Sequence, residues 1–163
     1  ANITSAPFLS QNRGGGSGDI HLGFGPQGGL SVYGSMLNFA CVLAIDLNGQ
    51  LNQQPTTTFP VGTQHSGKGS IYGQQRRSLA CDGAGFLFVM DWATDDGSDV
   101  VGWSMSADGK ALEKTSFVIA GGKTCQDQSA IAAGPPGSCL VVYRERLGSD
   151  ECKVMAQVLS IVK

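Results

Sequence analysis

An internal repeat constrains this chain more than any other feature of its sequence. Residues 23–33 (GFGPQGGLSVY), 80–92 (ACDGAGFLFVMDW) and 132–143 (AAGPPGSCLVVY) each read as a short strand, a tight Gly/Pro/Asp turn, and a second strand ending near an aromatic residue. A further element follows each of these: residues 40–49 (ACVLAIDLNG), 100–109 (VVGWSMSADG) and 154–163 (VMAQVLSIVK) align position for position. The first two end in Asn48-Gly49 and Asp108-Gly109, which are strong hairpin signals. After those turns come residues 57–62 (TTFPVG) and 116–121 (SFVIAG), each a strand followed by a loop. One repeat is therefore four strands, and its spacing is slightly above the ~40–50 residues of common propeller repeats.

The fold this implies is all-β: three four-stranded antiparallel, propeller-like blades in one domain over 1–163. The repeats run approximately over 19–62, 76–121 and 128–160. Residues 3–10 (ITSAPFLS) resemble the fourth strands around Phe59 and Phe117, while the chain ends just after a third strand. The N-terminal strand is then expected to complete the last blade, which removes open sheet edges. Three blades are too few for a closed ring, since propellers have about four to eight. The expected arrangement is half of a six-bladed ring, formed with a second copy or with a companion propeller chain. A Gly-rich β-sandwich or barrel with similar hairpins is the alternative architecture.

Composition narrows the classes of function. The 163 residues carry a formal net charge of −2, which gives no electrostatic attraction to nucleic acid or anionic membrane. No apolar run approaches the ~18 residues of a membrane-spanning helix. Twenty-four glycines, about twice average usage, fit many tight turns. The chain begins at Ala1 without an apolar leader, as a processed mature chain or a fragment does. Asn2-Ile3-Thr4 is a glycosylation sequon. Five cysteines without CxxC spacing point away from zinc and toward an oxidising, secreted or extracellular setting. Cys125 precedes the last repeat and Cys152 falls in its second-to-third-strand loop, so both are expected on one loop face, joined as a disulfide.

The repeat resembles a family of bacterial and extracellular propeller proteins whose signature is close to A-x-G-x-x-G-x-x-L-V-V-W, a loop, then V-Y-A-Q-R-V-x-A-D-G. The resemblance covers residues 19–160. This sequence departs from it at Tyr33 and Tyr143, which replace the Trp, and in lacking the C-terminal Asp-Gly. The motif marks a scaffold rather than an activity.

Candidate chemistry lies on the face bearing the longer loops, 11–18, 63–75, 93–99, 121–127 and 144–151. The repeat places Asp19, Arg76 and Gln128 in equivalent positions at the start of each first strand, where they would ring a channel mouth and grip a polar ligand. Solvated strand ends are the plainer reading. His65, in a long loop, is a further candidate for ligand contact. Asp95, Asp96 and Asp99 form the densest acidic loop and offer oxygen ligands for Ca²⁺, although the spacing is not that of an EF-hand. An exposed acidic turn is the simpler account. Trp92 and Trp103 flank the same hairpin, where stacking on a sugar ring competes with core packing. No G-x-S-x-G motif is present, and neither His21 nor His65 adjoins a nucleophile motif. The glycine-rich stretch 13–18 lacks the Lys-Ser/Thr of a phosphate loop.

The expected function is a non-catalytic extracellular binding or structural module, such as an adhesin, a lectin-like unit or an assembly subunit. It needs no cofactor, and carbohydrate is its candidate ligand. The alternative is a subunit or cleaved part of a propeller enzyme acting on glycans, with its active residues mostly on another chain.

Overall fold

The computed structural model describes residues 20–25, 28–35, 39–45, 57–60, 77–81, 83–94, 97–107, 110–113 and 116–160. All regular structure among them is β, in eleven strands. The first sheet contains β1 (Ile20–Gly25), β2 (Gly28–Ser35), β3 (Phe39–Ile45) and β4 (Thr57–Pro60). The second contains β5 (Arg77–Cys81), β6 (Gly85–Thr94), β7 (Gly97–Ser106) and β8 (Phe117–Ala120). The third contains β9 (Cys125–Ala133), β10 (Ser138–Arg146) and β11 (Cys152–Ser160). Each sheet is an antiparallel meander in which sequence neighbours pair, and the third has three strands among the described residues. The expected N-terminal strand, 3–10, lies outside the described residues.

The turns sit where the local chemistry demands them. Pro135-Pro136 cannot continue a ladder, and Gly137 at φ +84° supplies the left-handed residue that closes the β9–β10 hairpin. Gly134 N–H donates to Ser138 O at 3.0 Å, and Ser138 N–H returns a bond to Pro135 O at 2.9 Å. Beyond β7, Ser106 N–H donates to Lys110 O and Leu112 N–H to Ser104 O, so Lys110–Leu112 runs back beside the end of β7; the expected Asp108-Gly109 turn lies outside the described residues.

The side chains of β6 and β7 determine how the sheets stack. Side chains alternate across a strand, so β6 divides into Phe86, Phe88, Met90 and Trp92 on one face and Leu87 and Val89 on the other. Register pairs Phe86 with Met105, Phe88 with Trp103 and Met90 with Val101. These residues, together with Trp92, form one buried cluster. The Phe88 and Trp103 rings lie 5.9 Å apart at 37°. The opposite face, with Ala80, Leu87, Val89, Val100 and Ile119, forms a second cluster with Cys139 and Val141 of β10. Both faces of the middle sheet are therefore covered, unlike the common antiparallel sheet with one wet face.

The covering partners follow chain order. β9 packs across β5, β6 and β7, while β1 packs on β5. A Cβ on Gly23 of β1 would stand 3.0 Å from Leu79 and 3.4 Å from Phe86, so the first sheet approaches the Phe86 face closely only because that residue is glycine. Gly102 plays a similar part within the second sheet, since a Cβ there would meet Ile119 at 2.9 Å and Phe117 at 3.0 Å. Its absence lets β8 fold over β7 and close the second cluster.

The two clusters carry the stability. Phe88→Ala should cost about 3–5 kcal/mol by removing a fully buried ring next to Trp103. Val100→Ala, on the other face, should cost about 2 kcal/mol. Leu112→Ala, at a position 54% exposed, should stay within about 0.5 kcal/mol. Urea unfolding followed by tryptophan fluorescence measures all three.

Candidate functional site

The polar chemistry of the described chain concentrates where β9 enters the third sheet. Between Val142 and Arg144 the β9–β10 register shifts, and Gln128 adopts φ 55°. A non-glycine residue in that region marks a bulge, which bends the strand and re-aims the side chains on either side of it. Asp127 then faces one side of the third sheet, while the backbone N–H groups of Gln128 and Ser129 are aimed at the second sheet.

Those two N–H groups meet Asp91. Gln128 N donates to Asp91 Oδ2 at 2.7 Å and Ser129 N to Asp91 Oδ1 at 3.0 Å. Asp91 is a lone acid in the apolar run of β6 and is only 4% exposed. Burial pushes its carboxyl above the ordinary 3.8, against the hydrogen bonds from Ser129 and Gln128, and the nearby Asp127 charge adds to the rise. A polar clamp thus ties the second sheet to the bulge of the third.

Asp127 is held on the other side of the bulge. Arg144 Nε and Nη2 donate to its two carboxylate oxygens at 2.7 and 2.8 Å in a fork, and Arg146 Nη2 adds a third contact at 2.8 Å. Partial burial pushes the Asp127 carboxyl up, but the hydrogen bonds and positive charges of Arg144 and Arg146 outweigh it and hold the group below its ordinary value. Nearby, Gln126 Nε2 donates to Thr124 Oγ1 at 2.6 Å, and Thr124 Oγ1 donates to Glu145 Oε1 at 2.8 Å. Ser98 Oγ donates to Gln126 O at 2.6 Å and lies 3.0 Å from Cys125 Sγ. Gly97, at φ 155°, leaves room here, because a Cβ would stand 3.2 Å from Cys125.

Several expectations change against this geometry. The pairing of Cys125 with Cys152 is not made, and both residues carry free thiols. Register places Cys125 opposite Arg146 on one side and Cys152 opposite Arg146 on the other. Two strand spacings, about 10 Å, separate them, while a disulfide needs Cα atoms within about 7 Å. Both cysteines belong to strands rather than to loops, because the β9–β10–β11 ladder extends to Cys125, Arg146 and Cys152. Asp99 likewise lies within β7, paired with Trp92, and the hairpin connection is only residues 95–96. Asp95 and Asp96 lie outside the described residues, so their assembly with Asp99 is not on view. No cluster of three metal-ligating residues occurs among the described residues. Trp92 and Trp103 are both buried core residues rather than exposed stacking surfaces.

Of the expected ligand residues, Asp19, Arg76 and His65 lie outside the described residues. Gln128 is described: its side chain is exposed while its backbone is pinned to Asp91. Sequence reading did not single out Asp91, Asp127, Arg144 or Arg146. The signal for Asp91 was an acid in the middle of an otherwise apolar strand. No family model matches this chain, and neither does any curated protein or solved structure.

The two carboxylates should titrate in opposite senses. Asp91 has a raised value in the fold, so its contribution to stability is full below 3.8 and is lost as pH rises through the raised value. Asp127 has a lowered value, so its contribution is full above 3.8 and is lost as pH falls through the lowered value. Urea midpoints from pH 2 to 6 should show Asp127→Asn flattening the acid-side loss and Asp91→Asn flattening the loss on the other side. Asp91→Ala should cost about 1–3 kcal/mol at all pH values, because it strands buried donors.

Proposed function

We propose that the chain is a non-catalytic extracellular binding or structural module, a propeller-like arc whose loop-bearing side takes a polar ligand, with glycans as the candidate class. The observation that carries this reading is the stacking of consecutive meander sheets in chain order, with an exposed polar side chain at the entry of the third. Asp91 fixes the backbone at Gln128 and leaves the Gln128 side chain exposed to solvent. The repeat assigns Asp19 and Arg76 to the equivalent entries of the first two sheets. An acid, a base and an amide at one end of an arc offer a hydroxyl-rich ligand both donors and acceptors. His65 would add to this set from its loop, and Ca²⁺ at Asp95, Asp96 and Asp99 would brace the same side.

In this reading residues 3–10 add a fourth strand along β11 and cover an edge prone to uncontrolled pairing. The extracellular setting rests on composition and on the repeat resemblance.

A glycan screen followed by titration calorimetry tests the module. Arg76→Ala and Gln128→Asn should each weaken binding at least ~10-fold, the equivalent of one hydrogen bond to a charged or well-placed polar group. Asparagine is chosen at 128 because it tolerates the left-handed backbone there. Release of reducing sugar by the isolated chain would instead support a glycan-cleaving enzyme.

A further inference from the structure

The seam between the second and third sheets holds a buried charge without a counter-charge. The Asp91 carboxylate is bonded by the neutral backbone N–H groups of Gln128 and Ser129. Among the described residues no cationic side chain contacts it, and the charge that bears on it, Asp127, has the same sign. Arg144 and Arg146 are committed to Asp127 on the opposite face of the third sheet. Buried charges in proteins are paired or bound to a metal ion, because an unpaired one forfeits its hydration.

Two oxygen atoms in the same seam are also without a partner. Ser129 is 2% exposed and Gln126 3%, and neither Ser129 Oγ nor Gln126 Oε1 makes a hydrogen bond. The bulge at Gln128 interrupts the alternation of β9, so both residues turn to the second sheet. Ser129 Oγ stands beside the carboxylate: it eases the ionisation of Asp91, and the N–H of the same residue bonds Asp91 Oδ1 at 3.0 Å. Gln126 is seated one step along the second sheet. Ser98 Oγ donates to its backbone O, and Ser98 lies two residues from Val100, the register partner of Asp91, on the same side of β7. That step is about 7 Å. Gln126 turns Nε2 to Thr124 Oγ1 at 2.6 Å, which leaves Oε1 directed away from Thr124. A lone carboxylate and two unpartnered oxygens thus line one short stretch of the seam.

We infer that Asp91, Ser129 and Gln126 hold a monovalent cation of the Na⁺ or K⁺ class in this seam. The donors are hard oxygens, which suit alkali and alkaline-earth ions rather than metals that seek imidazole or thiolate. One carboxylate supplies one negative charge, so a single positive charge balances it. Ca²⁺ takes about 6–8 oxygens, with affinity set by the number of charged ligands. The nearest further acid, Asp127, is already taken by its arginines. Bound here, the ion ties β6 to β9 beside the two N–H bonds, and docking of the third sheet on the second depends on the salt present. The inference is independent of ligand binding on the loop-bearing side.

The test is urea unfolding of the full chain, followed by tryptophan fluorescence at pH 7, in sodium, potassium or choline chloride at equal ionic strength. Choline carries the same charge but is too large for an oxygen-lined site in a packed seam, so it controls for screening. An ion bound only by the folded chain stabilises it by mass action. In the preferred alkali salt, at ten times the half-saturating concentration, the unfolding equilibrium constant should be about 10-fold smaller than in choline chloride. Asp91→Asn should abolish that difference, and Ser129→Ala should raise the half-saturating concentration at least ~10-fold. Asp127→Asn, on the opposite face, should keep the difference. Equal stability of the native chain in all three salts would overturn the proposal and leave water as the partner of the two oxygens. An alkali-specific gain that survives both Asp91→Asn and Ser129→Ala would place the ion elsewhere and overturn it as well.

Discussion

A β-sheet that is apolar on both faces must be covered on both. In this chain that requirement falls on β6 and β7, where alternation puts Phe86, Phe88, Met90 and Trp92 on one side and Leu87 and Val89 on the other. Water is a poor solvent for either set, so the middle sheet cannot be the last layer in either direction. The other sheets are arranged around it. The first closes in through a glycine, and the third lays Cys139 and Val141 against Val89 and Val100.

Apolar burial alone does not fix how one sheet sits on the next, because it is non-directional. The Asp91 clamp provides the missing direction. A carboxylate that accepts two consecutive backbone N–H groups can be satisfied in one position of β9, and the bulge at Gln128 is what turns both N–H groups toward it. The clamp works against the burial that raises the Asp91 carboxyl, so it functions as a register pin bought with some stability. The same bulge sends Asp127 to the opposite face, where Arg144 and Arg146 take it up. One irregular residue thus serves two polar contacts on two surfaces.

The all-β architecture and the β9–β10 hairpin turn were legible because they rest on local chemistry. Pro135-Pro136-Gly137 allows few backbone paths, and periodic Phe, Val and Trp residues declare strands by alternation. Strand ends were not legible in this way. Cys125, Asp127, Arg144 and Glu145 look like loop residues by polarity, yet they extend the β9–β10 ladder because they satisfy one another across it. The same error placed Cys125 and Cys152 on one loop face, when a whole strand lies between them. Asp91 escaped for a different reason: its partners are backbone groups, which no side-chain pattern records.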